Sequence, residues 1–384
     1  MTMSGIPPAD GPWVTTDFLN FVPELRTDFA RRDVGAECVV WSPLSTEPVV
    51  LDPLAAVMLA VVDGDASVGE LATEVHEEIG VPLETARRQV TTIVEHLGRA
   101  GLLTSSISGT TAGEAIAQRD LFVAAPTPCS ENASRLGTET IVLRLGRHTV
   151  RVACDSRRAA RTLRAALADH VVDGDEDTPL AFVLTAPQGL TRTHLLVDRA
   201  GFVLSAARGI DAGLHALASH LTALLPPAPG TVRIRARAVT TGDRTVVCLF
   251  PLLHSPVIPE RDLARSGLRL VDRLALDVDV ATGAVTNPRI PWPALRDLDP
   301  GRAHVGPGGT SVVTAVLDAG PPIDAPPPTR AVVVAQLAAG GLHGSVGALL
   351  DATALLVEGA ELHSTQPEIT PIVELLRQLG PAAT

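Results

Sequence analysis

The stretch from Thr245 to Asp272, TVVCLFPLLHSPVIPERDLARSGLRLVD, is laid out as phosphate chemistry would require. An apolar run reads as a buried strand, a loop follows, and a helical segment leads to a second strand. A loop in that place grips phosphate by turning backbone N–H groups inward, which takes glycines, and by a lysine that bridges the terminal phosphates. Pro251 to Asp262 contains no glycine, and Pro256 and Pro259 each remove an N–H donor. Leu252, Leu253, Val257 and Ile258 would crowd the space the phosphates need. Ser255 could mimic a metal-binding hydroxyl, but all 31 basic residues are arginine, so no lysine can accompany it. The aspartate after the second strand stands in the pair Asp272-Arg273, where the arginine would repel magnesium and attract anions. These losses together remove the parts on which phosphoryl transfer depends.

The other chemistry-bearing groups are weaker. His215 and His220 are five apart on one helical stretch, hence on different faces and unsuited to a shared metal. Asp173 to Asp177, DGDED, lacks the twelfth-position Glu of an EF-hand loop and reads as a solvated turn. GLHGSVG has His343 where a nucleophile elbow needs its first glycine. His254 next to Ser255 is adjacency in sequence, not a dyad. Cys38, Cys129, Cys154 and Cys248 stand far apart with no CxxC pair, so no zinc site is expected, and Cys248 inside VVCLF reads as a small buried hydrophobe. No cofactor is expected.

The elements that would position such groups fall into two parts. The chain has 384 residues, of which 46% are hydrophobic, enough for two or three domains with their own cores. A net charge of -12 argues against nucleic acid, which needs a dense basic surface; it suits a basic partner or simply solubility. No run of about 18 apolar residues suggests a membrane span, and MTMSGIPPADGPW does not read as a signal peptide, so a cytoplasmic protein is expected.

Residues 1–33 form a mixed N-terminal extension. Glu37–Trp41 and Pro48–Leu51 read as short strands around the turn LSTE. Asp52-Pro53 is an N-cap followed by proline at the first helical position. Ser67 and Glu70 make a capping box for a second helix, and a third starts at Pro82 or Leu83, with Ala86, Val90, Ile93, Val94 and Leu97 at helical spacing. Residues 104–137, rich in Ser, Thr, Gly and Pro, read as a linker exposed to proteases. From Thr138 the pattern is mixed α/β: a hairpin IVLRLG/TVRVAC, a helix over 156–170, strands LAFVLTA, THLLVDRAG, FVLSA, TVRIRARAV and TVVCLF, a helix over 211–225, and a tail with helices over 349–358 and 369–379.

From about Val34 to Leu103 the chain resembles the PqqD-like family, the recognition elements of ribosomally synthesised, post-translationally modified peptides. The resemblance rests on VVLDP, a helix ending in Asp-Gly, SVGEL and a last helix ending in GLL, in the family's order. It implies a small winged-helix-like domain that binds a leader peptide as an added strand on its wing, beside its third helix. By position, Val49, Val50 and Leu51 would offer the edge, and Arg87, Thr91, Val94 and Glu95 would line the groove. A plain winged helix that joins domains is the bland alternative; DNA binding is disfavoured because the third helix carries only Arg87, Arg88 and Arg99 as bases.

Residues 138–384 resemble HPr-kinase-like proteins, with TVVCLF as the strand before the phosphate loop, DLARSGLRLVDRLALDVDVATG as the following helix and strand, and VTNPRIPWP as the proline-rich stretch beyond. Ser255, Asp272 and Arg273 would mark the degenerate nucleotide site. The combined expectation is an α+β recognition domain followed by an α/β pseudokinase. Such a protein would bind a precursor peptide, dock a modifying enzyme or form a homo-oligomer, and need no membrane or nucleic acid; daptide-type clusters are one home for it. The alternatives are an atypical kinase of the same class and a purely structural or regulatory scaffold.

Overall fold

The computed structural model describes residues 16–45, 47–104, 139–173, 178, 180–186, 193–198, 203–240, 245–248, 269–272, 275–286, 288, 290–298, 313–319 and 328–365. A short helix α1 (Thr16–Leu19) precedes three strands, β1 (Ala30–Val34), β2 (Glu37–Trp41) and β3 (Val49–Leu51), which form an antiparallel sheet in that order. Three helices follow: α2 (Pro53–Val61), α3 (Val68–Ile79) and α4 (Leu83–Arg99).

The local signals act as the sequence implies. The Asp52 side chain accepts from the Ala55 N–H at 2.8 Å, with Pro53 opening α2. Ser67 and Glu70 complete a reciprocal capping box on α3. Each such cap stabilises by about 1 kcal/mol. Past α4 the chain turns at Gly101, in the left-handed region, where the Gly101 carbonyl accepts from the Ser42 hydroxyl at 2.8 Å. Leu103 then bridges to Leu25, and Phe18 lies in the core, so residues upstream of Val34 pack into this unit along with β1.

The alternation along the sheet is buried on both sides. Cys38, Val40 and Leu51 pack with α2, α3 and α4 around Met58, Leu71, Val90, Val94 and Leu97. Val39 and Trp41, with Val50 half-buried beside them, point the other way into a second core. That core is supplied by the C-terminal part of the chain.

There, β4 (Glu139–Leu145), β5 (His148–Cys154), β6 (Leu180–Thr185), β7 (Thr193–Asp198) and β8 (Val203–Arg208) form one sheet in sequence order. Its parallel pair β5–β6 is joined through α5 (Arg157–Ala166), and the next helix, α6 (Ile210–Ala223), packs on the same sheet. After α6 come β9 (Thr231–Ile234), β10 (Arg237–Thr240), β11 (Thr245–Cys248), β12 (Arg269–Asp272), β13 (Leu276–Asp279), β14 (Val285–Thr286), α7 (Pro293–Arg296) and β15 (Val313–Ala319). Then follow α8 (Arg330–Ala339), β16 (Gly341–His343), α9 (Val346–Glu358) and β17 (Glu361–Thr365). They build a four-stranded sheet, β14-β13-β9-β16, and a five-stranded sheet, β12-β10-β11-β15-β17.

TVRIRARAV, expected as one strand, divides. Its first half joins the four-stranded sheet and its second half the five-stranded one. The break falls at Arg235-Ala236, where the Arg235 N–H still donates on the β16 side, to the Gly340 carbonyl at 2.7 Å, and Ala236 is fully buried. A helix not expected, α8, carries RAVVVAQLAA and is capped by Thr329. With α9 it lies on the back of the β1-β2-β3 sheet, α9 over β1 and α8 over β2 and β3. No helix among the described residues is long and apolar enough to cross a membrane.

Candidate functional site

β3 is three residues long and stands at the end of its sheet, with β2 on one side and no strand on the other among the described residues. Such an edge presents unpaired backbone donors and acceptors to an incoming chain. Val39 opposes Val50, so Val50 points to the back of the sheet with Val39, while Val49 and Leu51 point to the front, where Leu51 is 1% exposed. The expected edge residues Val49, Val50 and Leu51 therefore sit together, with their side chains shared between two cores.

The expected helix residues fall into two groups. Val94 is fully buried in the core and lies beneath any groove rather than lining it. Arg87, Thr91 and Glu95 form a stripe at four-residue spacing along α4. Arg87 pairs with Glu84 at 2.7 Å, and Glu95 pairs with Arg99 at 3.2 Å. Thr91 is 4% exposed, and its hydroxyl, like Arg87 Nε one turn earlier, has no hydrogen-bond partner among the described residues. Two buried polar atoms with unmet capacity on one stripe are costly to leave so.

Sequence reasoning missed His96. It stands five residues beyond Thr91, on a different side of α4. Burial, and then the neighbouring Arg99, hold its ring below the ordinary histidine value, while the carboxylate of Asp52 pulls the other way. Asp52 immediately follows β3, so His96 marks the side of α4 that faces the junction of β3 and α2. Asp52 and His96 are 44 positions apart in the sequence, and nothing local connects them.

The residues expected to mark a nucleotide site are not brought together by what is described. Ser255, the rest of the loop from Leu252 to Pro259, and Arg273 lie outside the described residues; Asp272 is the last residue of β12, and only its backbone is described. β11 is flanked by β10, antiparallel, and β15, parallel, and β12 lies across β10 from it. Of the acidic turn, residues 174–177 also lie outside the described residues.

Several other candidates resolve into structure. In GLHGSVG, Ser345 is the N-cap of α9 and accepts from the Ala348 N–H at 3.2 Å; its hydroxyl caps a helix rather than attacking a substrate. His343 Nε2 meets the Ala223 carbonyl at 3.2 Å, at the end of α6, and burial with the nearby Arg233 charge drives its pKa down to about 4. Arg233 serves the same helix end, donating to the carbonyls of Thr222 at 2.5 Å and Leu225 at 2.6 Å, while pairing with Asp277 across the β9–β13 ladder at 2.6 and 2.9 Å. His215 is buried in α6, and His220 packs its ring on Phe182. Cys38, Cys154 and Cys248 are buried, with burial pushing the Cys38 thiol up to about 11 and the Cys154 thiol up to about 12. Among the described residues no group of three or more His, Cys, Asp or Glu could hold a metal ion.

Comparison with known proteins places one part of the chain. Residues 37–103, from β2 through the bridge at Leu103, match the family model of Coenzyme PQQ synthesis protein D, PqqD. This stretch is a PqqD-like domain, and it contains both β3 and α4. No curated protein and no solved structure matches the chain.

Proposed function

We propose that this chain is a non-catalytic recognition protein that captures the leader of a ribosomally synthesised, post-translationally modified peptide and presents it to a modifying enzyme. PqqD-like domains bind such precursor peptides, and the matched stretch carries α4 and β3, the strand with no neighbour on its outer side among the described residues. That edge is the observation on which the reading rests. The leader adds a strand to β3, with backbone hydrogen bonds for affinity and side-chain pockets for choice.

The test is fluorescence anisotropy with the labelled precursor encoded in the same gene neighbourhood. Val50→Pro removes one backbone donor from a three-residue strand and distorts its edge, which should weaken binding by about 1–3 kcal/mol, roughly 5- to 150-fold. Unchanged affinity in a variant that circular dichroism shows to be folded would remove the docking mode.

The remainder of the chain is read as a scaffold of the pseudokinase kind, which docks the modifying enzyme or a second copy. Support comes from the loop Leu252–Pro259, with no glycine and two prolines, and from the absence of lysine anywhere in the sequence. Mg-ATP should produce no phosphotransfer to the precursor. An ATP-dependent mass gain on the peptide, lost on Asp272→Ala, would replace this reading with an atypical kinase.

A further inference from the structure

The chain's surplus of acid is concentrated. Between Arg32 and Arg87 there are eleven aspartates and glutamates and no arginine, so nearly all of the net charge of -12 belongs to this one stretch. α2 lies inside it and has no charged residue of its own. Its inner side packs on β2, β3 and α4. Its outer side carries Pro53, Val57, Ala60 and Val61, all exposed and spaced to share one face, with Val57 59% and Val61 41% exposed. Exposed Asp52 stands at one end of this face, and exposed Asp63 and Asp65 at the other. A single exposed valine is ordinary. A helix face without a polar side chain, closed at both ends by carboxylates, has the layout of an interface: apolar at its centre and polar at its rim.

The same chain carries the complement. On α5, Arg157, Arg158, Arg161 and Arg164 are all exposed, and Arg157, Arg161 and Arg164 repeat the spacing of Pro53, Val57 and Ala60. Arg157 lies 3.8 Å from Glu139 and Arg158 lies 3.4 Å from Asp211, both long contacts on the surface. Arg161 and Arg164 have no carboxylate partner among the described residues; Arg161 donates only to the Arg157 carbonyl, at 3.4 Å. Arginine suits both parts of the α2 face, because its methylene stem covers apolar surface while its guanidinium reaches a charged rim. We infer that α2 of one copy of this chain docks on α5 of a second copy. Pairing α2 with α2 would bring like carboxylates together, whereas α2 against α5 sets acid against base. The contact joins two different surfaces, so it closes reciprocally in a dimer or repeats head to tail. One helix pair is smaller than the interface of a stable complex, about 1,600 Å² in total, and exposed ion pairs contribute little each. The association is therefore weak, concentration-dependent and reduced by salt. It does not involve the outer edge of β3 and does not rest on the recognition reading above.

The experiment is sedimentation velocity on the full chain from micromolar to millimolar concentration, at low and at high ionic strength. Two double variants change only exposed positions: Val57→Arg with Val61→Arg, which makes the α2 face basic, and Arg161→Glu with Arg164→Glu, which makes the α5 face acidic. Circular dichroism checks that both fold. The unaltered chain should associate, less so at high salt, and each double variant alone should associate about tenfold or more weakly. An equimolar mixture of the two variants should recover association, since the intact α5 of the first meets the intact α2 of the second and the two reversed faces also match. A chain that stays monomeric throughout, association indifferent to salt, either variant associating like the unaltered chain, or a mixture that recovers nothing would each overturn the inference.

Discussion

Trp41 is the most informative single perturbation, because it joins the PqqD-like domain to the rest of the molecule. Its ring is 4% exposed and lies in the same core as Val232, Ile234, Ala331, Val334, Leu349 and Leu356. Its indole N–H donates to the Ser45 carbonyl at 3.0 Å, across the turn between β2 and β3. Trp41→Ala removes a large buried ring whose pocket cannot close fully, at a cost of about 3–5 kcal/mol. If the two parts share one core, that cost falls on both. Amides that exchange only when this body opens would then speed up by about a hundred- to a few thousand-fold, since each 1.4 kcal/mol is tenfold. Hydrogen-exchange mass spectrometry at neutral pH can follow α3 and α4 separately from α8 and α9. Comparable acceleration in both pairs is expected. Acceleration of α3 and α4 with α8 and α9 unchanged would refute the shared core and make the back face a contact between independently stable bodies.

Two other outcomes follow from the end of α6. Asp277→Ala leaves the Arg233 guanidinium buried without its counter-charge and should cost about 3–5 kcal/mol in urea unfolding, whereas Arg233→Met combined with Asp277→Leu should cost distinctly less; equal losses would mean that the pair contributes nothing as a pair. His343 titrates at about 4 when folded and near its ordinary value of 6.5 when unfolded, so the unfolded chain takes up the proton first. Its contribution is complete above pH 6.5 and is lost as pH falls toward 4, by about 1–2 kcal/mol once the access of water to the half-buried ring is allowed for. His343→Gln, which can still donate to the Ala223 carbonyl, should flatten that part of the stability–pH curve, and an unchanged slope would contradict the assignment.

The PqqD-like part was legible because its signals are local. Asp52-Pro53, Ser67 with Glu70, and the apolar spacing from Ala86 to Leu97 each define an element within one or two turns, and each element appears where those residues place it. β1 was hidden because ARRDV carries three charges in five residues. Its pairing is set from outside, by Ala30 and Val34 against the back core and by Arg32 reaching Asp351 on α9 at 3.4 Å. α8 was hidden for the opposite reason: it is buried on most sides, so its sequence lacks the polar stripe that gives a helix its period, and its three consecutive valines favour a strand reading. The break in TVRIRARAV follows from the different partners of its halves, β13 and β16 for the first and β11 and β12 for the second, which no local signal announces. His96 comes within range of the Asp52 charge only because α4 packs near the start of α2. Arg87, Thr91 and Glu95, expected at a groove from family resemblance alone, form a stripe on α4 distinct from His96.

A three-stranded sheet with a three-residue edge strand is a poor template by itself, since small sheets need packing on a face to hold their shape. In this chain the front face is held by α2, α3 and α4, and the back face by α8 and α9. The second layer restrains β3, so if a peptide binds there as proposed, less ordering would remain to be done, and pre-ordering of that kind raises affinity without adding a contact. It also has a geometric consequence. Because Val39 and Trp41 are embedded in the same core as β9, β13 and β15, a peptide bound on β3 as proposed would be held in a fixed direction relative to the C-terminal sheets. A single fixed direction is what the proposed presentation of a peptide to a modifying enzyme would require.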